Sequence, residues 1–100
     1  MNSKQRAYLR SLASRIDSIF QVGKNGVTPE VIKSVDEALE KRELVKGTVL
    51  NNCSLNIDDI AGMISERTNS QTVQIIGKKI VFFRQNRKNP VIDISGREKR

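Results

Sequence analysis

The chain has no histidine, no tryptophan, one cysteine and only four aromatic residues. Each shortage excludes something. Without histidine, the commonest general base and metal ligand is missing. A lone cysteine rules out a structural zinc cluster or a redox pair within one chain, so Cys53 reads as a small core or loop residue. With one tyrosine and three phenylalanines, base stacking cannot be the main way of holding a nucleic acid. No apolar run approaches the roughly 20 residues that cross a bilayer, and the N-terminus has no hydrophobic signal core. A cytoplasmic location is the default expectation.

Catalytic constellations are equally scarce. Asp58 and Asp59 form the only adjacent aspartate pair. Neighbours on a helix do not face each other, and two acids at a helix start favour its dipole, so capping is the better reading. Serines and threonines are plentiful but have no base to activate them. The expectation is a non-enzymatic protein with no cofactor.

Positive charge, in contrast, is abundant and unevenly spread. Eighteen Lys and Arg stand against eleven Asp and Glu, a net charge of +7. Residues 1–26 hold five basic side chains and one acid, and residues 84–100 hold six and two. The stretch between them is balanced, with seven basic and eight acidic residues. Segregation of this kind points to a polyanionic partner. At 100 residues the chain is one domain, able to bury roughly 60–70% of its unfolded surface.

Periodicity gives the elements. Ser3 can cap a first helix with Leu9, Leu12, Ala13 and Ile16 inside, and Lys4, Arg6, Arg10 and Arg15 largely outside that stripe. A β-prone stretch, Ser18 to Val22, follows. Thr28 and Pro29 then open a second helix burying Val31, Ile32, Val35, Ala38 and Leu39. A strand is predicted over 44–50, broken by Gly47, and a third helix from Asn56 or Asp58 with Ile57, Ile60, Ala61 and Ile64 inside. Strands over 72–76 and 79–84 meet at Gly77-Lys78, a two-residue hairpin with glycine first. Phe82 and Phe83 must point to opposite faces. The order α-β-α-β-α-β-β predicts an α/β fold with a four-stranded mixed sheet. From Gln85 the chain turns polar and basic, with a short apolar patch over 91–94 that is expected to dock and a frayed end over 95–100.

Between the first strand and the second helix lies "VGKNGVTPE". It is neither a Walker A loop nor a dinucleotide fingerprint, because the spacing and the number of glycines are wrong. It does have the form Gly-x-x-Gly before a helix N-terminus, where bare backbone can approach a phosphate and N–H groups point outward. KH domains grip single-stranded RNA backbone with a loop of that form. The plainer reading, that a strand-to-helix turn needs glycine for its angles, outweighs it on the tetrapeptide alone.

Four blocks in order shift that balance: "KQRAYLRSLA", "QVGKNGVTPEVI", "ALEKRELVKG" and "TVQIIGKKIVFFR". Together they resemble the CRM-domain RNA-binding proteins, most of all the small single-domain bacterial members of YhbY type. "RKNPVIDI" resembles the usual tail of that family. The resemblance implies a fold similar to the C-terminal domain of translation initiation factor three, and RNA binding through a basic face that includes the Gly-x-x-Gly loop. For bacterial members it implies association with precursors of the large ribosomal subunit, and plant relatives carry the domain in group II intron splicing factors. Gly47 stands where many members have a larger residue, which puts the geometry of that strand in doubt.

The expectation is therefore a monomeric RNA-binding domain over 1–86 with a basic tail over 87–100, acting on rRNA in ribosome assembly. Its expected site is Gly23, Lys24, Asn25 and Gly26, extended by Lys4, Arg6, Arg10 and Arg84, with Arg87 and Lys88 as weaker members. The rival is a protein–protein adaptor that docks an acidic partner such as a ribosomal protein. DNA binding is a third option, without a helix-turn-helix to support it.

Overall fold

The computed structural model describes residues 1–86, 88 and 90–92. Its elements follow the predicted order: α1 (Ser3–Ala13), β1 (Ser18–Val22), α2 (Pro29–Arg42), β2 (Leu44–Val49), α3 (Ile57–Thr68), β3 (Gln71–Ile76) and β4 (Lys79–Phe83). Caps define the helix starts. Thr28 caps α2 as expected, its hydroxyl accepting the Val31 N–H at 3.2 Å, with Pro29 in the first turn. Asn56 caps α3 through the Asp58 N–H at 2.7 Å.

At α1 the expected cap is off by one residue. Asn2, not Ser3, is the cap, because Asn2 and Gln5 satisfy each other's backbone N–H groups in a capping box, at 2.8 and 3.0 Å. The helix also stops at Ala13, so Ile16 packs from the turn that follows.

The strands form one mixed sheet in the order β1-β2-β4-β3. β1 and β2 are parallel, joined by α2; β2 with β4 and β3 with β4 are antiparallel. Helices cover both faces. Under α2 and α3 lies the larger core, including Phe20, Val22, Val35, Leu39, Ile60, Ile64 and Phe82. Under α1 lies a smaller one of Leu9, Ala13, Leu44, Val73, Val81 and Phe83. Phe82 and Phe83 do face opposite ways, as a pleated strand demands.

Gly47 does not break β2. The Phe20 ring lies across it, with its Cζ where a Cβ would have to stand, and stacks on Phe82 with centroids 6.2 Å apart. A larger residue at 47 and this placement of Phe20 exclude each other, so the missing side chain is what lets the ring in.

The last described segment is held by one carboxylate. Glu43 is fully buried and has a positive φ of 66°. It accepts N–H groups from Asn86, Val91 and Ile92 at 2.7, 2.9 and 2.6 Å. Ile92 packs against the α1 core while Val91 stays exposed. Of the apolar patch over 91–94 only these two residues are described; Asp93 and Ile94, with Arg87 and the 95–100 end, lie outside the described residues.

Candidate nucleic-acid interface

Gly23 to Gly26 form a tight turn closed by the Gly26 N–H donating to the Gly23 carbonyl at 3.0 Å. Gly26 has φ +70°, and a Cβ there would sit 3.0 Å from Leu55 Cδ1. It is buried, and Gly23 is half-buried beside Leu50 and Asn52. The glycines therefore serve the turn and its packing. What the loop offers outward is its tip, Lys24 and Asn25, both exposed. The accessible surface of the loop is therefore these two side chains and not bare glycine backbone. The α2 N-terminus follows directly, but Glu30 in its first turn already complements the dipole.

Strand direction decides what surrounds this tip. β1 and β2 finish at the same end of the sheet, and the β3–β4 hairpin turns there too. The Leu50 N–H donates to the Val22 carbonyl at 2.9 Å, and the Val49 N–H to the Lys78 carbonyl at 2.8 Å. Lys24 thus shares one end of the molecule with Lys78 and Lys79, all three exposed. Reading along the chain misses the two hairpin lysines because they are some fifty residues from the loop. The signal available is the pairing itself: a parallel β1–β2 and a hairpin returning along β2 place both turns together.

Of the basic residues expected to extend the loop, the structure brings none beside it. α1 crosses the opposite end of the sheet, on the face away from α2 and α3. Lys4 and Arg10 lie exposed on its outer surface. Arg6 is half-buried and latches α1 to β3, its Nη1 donating to the carbonyls of Thr72 and Val73 at 3.0 and 2.9 Å. Arg84 follows β4 at the far end from the loop and faces α2. Its guanidinium donates to Asp36 Oδ1 and the Thr68 carbonyl at 2.7 and 2.6 Å, and reaches Glu40 Oε1 at 3.3 Å. Its charge is spent on joining β4 to α2 and α3.

Beside α1 the sheet face stays open toward the loop end. Lys46 and Thr48 of β2, Lys79 of β4 and Ser18 of β1 lie on it. Thr48 Oγ1 sits 2.6 Å from Ser18 Oγ and accepts from Lys79 Nζ at 3.2 Å, while Ser18 Oγ lies 3.3 Å from the Phe20 carbonyl it donates to. No strand residue is acidic, and Lys46 and Lys79 are the only charged ones. Among the described residues, no group of three His, Cys, Asp or Glu could hold a metal ion, and no helix is long and apolar enough to cross a membrane.

Comparison with known proteins agrees with this architecture. The chain is 43% identical over 94 residues to the probable RNA-binding protein YqeI of Bacillus subtilis (strain 168), covering 94% of this chain and 98% of that one. It is 30% identical over 84 residues to an RNA-binding protein of Haemophilus influenzae, covering 84% and 85%. The solution structure of SAV1595 from Staphylococcus aureus superposes with a TM-score of 0.78 at 45% identity, covering 93% of this chain and 97% of that one. The sequence pattern of the CRS1 / YhbY (CRM) domain matches residues 1–84. With the family's pattern running from the first residue to the end of the sheet, this chain belongs to the CRS1 / YhbY (CRM) domain family.

Proposed function

We propose that this protein binds RNA, and that its target is rRNA in precursors of the large ribosomal subunit, on which it acts as an assembly factor. The observation that carries the reading is the exposed Lys24–Asn25 tip, held rigidly between two packed glycines at the end of the molecule where Lys78 and Lys79 add charge. Membership of the CRM family and relatives named as RNA-binding proteins support RNA as the polyanion. Recognition works through phosphates: lysines supply charge, and all three phenylalanines are buried, which leaves Tyr8, exposed on α1, as a single ring and no platform of successive stacks. Residues 1–86 carry this activity. Lys4 and Arg10 on α1 extend the field over a wider face without touching the strand held at the tip.

Titration of labelled single-stranded RNA at several salt concentrations tests the reading. Affinity should fall steeply with salt and vary little with base sequence. Replacing Lys24 by Glu and Asn25 by Asp together should weaken binding by at least about fivefold near 0.1 M salt, with the thermal transition unchanged. A salt-insensitive isotherm contradicts phosphate recognition, and an unaltered affinity removes the loop from the site. In cell extracts, co-sedimentation with large-subunit precursors should vanish on nuclease treatment; persistence would mean that a ribosomal protein is the tether.

A further inference from the structure

The open half of the sheet beside α1 is a surface that neither the family nor the loop accounts for. Its two lysines have no acidic partner among the described residues, whereas Arg84 on the other side of the sheet is paired with two carboxylates. Lys79 is also positioned. Its ammonium donates to Thr48 Oγ1. With Ser18 Oγ directed to the Phe20 carbonyl, the Thr48 hydroxyl proton goes to Ser18. Hydrogen bonds therefore run one way, from Lys79 through Thr48 and Ser18 to a main-chain carbonyl. Both hydroxyl protons are spent, and the ammonium keeps two free N–H donors over the strands. Lys46 stands on the same face one step along β2, and Ile76, 60% exposed, borders it at the β3 edge.

We propose that this strip, Lys46 and Lys79 with Thr48 as the positioning residue, is a second phosphate-backbone contact for RNA that carries a strand away from the Lys24–Asn25 tip across β2 and β4. The proposal rests on the RNA-binding reading and adds the path of the strand. Three features fit a polynucleotide backbone. The strip spans β2 and β4, one and two strand spacings from β1, about 5 and 10 Å, within reach of the next phosphates of a strand held at the loop. Its strands carry no acid, so approaching phosphates meet no repulsion from the sheet itself; Asp17, in the turn after α1, shares a hollow with Lys46 at the end away from Lys79. Its ammonium is anchored before binding, which lowers the entropy lost when a phosphate takes the two remaining donors.

The experiment uses a labelled single-stranded RNA of about 12 nucleotides and the full chain as wild type, Lys46→Ala, Lys79→Ala, the double variant, Thr48→Val and Thr48→Ser, alongside the Lys24→Glu/Asn25→Asp loop variant. Removing one lysine–phosphate pair should lower the slope of log K against log salt by about 0.7, which is about fivefold in affinity near 0.1 M salt. Lys46→Ala and Lys79→Ala should each show that effect and the double variant both, while melting temperatures stay at the wild-type value. Thr48→Val should weaken binding with its charge count intact, and Thr48→Ser, which keeps the acceptor, should restore it. If the loop variant weakens binding but the lysine variants leave slope and affinity unchanged, the second contact is wrong and the RNA reading stands. If wild type itself shows no salt-dependent RNA binding, both are wrong. If Thr48→Val behaves as wild type while Lys79→Ala is impaired, the contact holds and the positioning role is overturned.

Discussion

On one side of the sheet, the core shared with α2 and α3 holds eleven buried residues among those described; on the other, the core shared with α1 holds six, and the loop end of the strands stays open. The charge differs in the same sense. The two helices of the closed side carry seven acidic residues (Glu30, Asp36, Glu37, Glu40, Asp58, Asp59 and Glu66) against four basic ones. The open side carries Lys4, Arg6 and Arg10 on α1 and Lys46 and Lys79 on the strands, with no acid on these elements. The lesson is a division of labour between the two faces of one small sheet. A sheet needs one well-covered face to stabilise it, and two of these acids, Asp36 and Glu40, help hold that face together through Arg84. The other face can then stay partly bare, and bare cationic sheet is what a polyanion can use.

The sharpest way to break this comparison is to cut each core at the same strand. Phe82→Ala should cost about 3–5 kcal/mol, because Phe82 is fully buried in the larger core and touches the Phe20 ring. Phe83→Ala should fall at or below the bottom of that range, since the site under a single helix collapses more readily. Urea unfolding measures both, and equal losses would mean that the two faces stabilise the fold alike.

Next in size is Glu43, where α2 meets β2 and the terminal segment. Glu43→Ala should lose roughly 2–3 kcal/mol, as three N–H groups lose a charged acceptor. Amide exchange at Asn86, Val91 and Ile92 should accelerate more than exchange within β2. Glu43→Gly should recover about 1 kcal/mol of this by relieving the positive φ. If Glu43→Gly is no better than Glu43→Ala, the backbone there is unstrained.

Gly47→Ala should cost about 1–3 kcal/mol by pushing the Phe20 ring off the strand. Pairing it with Phe20→Leu should return part of the loss, and a simple sum of the two effects would show that the ring and the glycine are independent.

The smallest effect separates the basic residues of α1. Arg6→Ala should destabilise by about 1–2 kcal/mol through its two bonds to β3. Lys4→Ala should stay within about 0.5 kcal/mol. Thermal melts read the difference, and matching values would deny Arg6 its role as a latch.

Much of this is legible along the chain. Thr28 with Pro29, the glycine-first hairpin and the opposite aims of Phe82 and Phe83 all follow from local rules, and the structure has them. The α1 cap is ambiguous because Asn2 and Ser3 are both good caps, and only the reciprocal Asn2–Gln5 bonds choose between them. Nothing local distinguishes Arg6 and Arg84 from Arg10. Whether an arginine faces water or a carbonyl depends on the neighbour that arrives from elsewhere in the sequence, here β3 for Arg6 and α2 for Arg84.

Element order, the mixed sheet, the excess of positive charge and the tight turn before α2 can be read along the chain, because hydrophobic period, capping and glycine geometry act over a few residues. Tertiary structure alone decided which lysines share an end, which arginines are spent inside, and that a carboxylate in the core clasps the terminal segment. Those outcomes depend on strand pairing, which joins residues some thirty to fifty positions apart, and no local pattern carries that information.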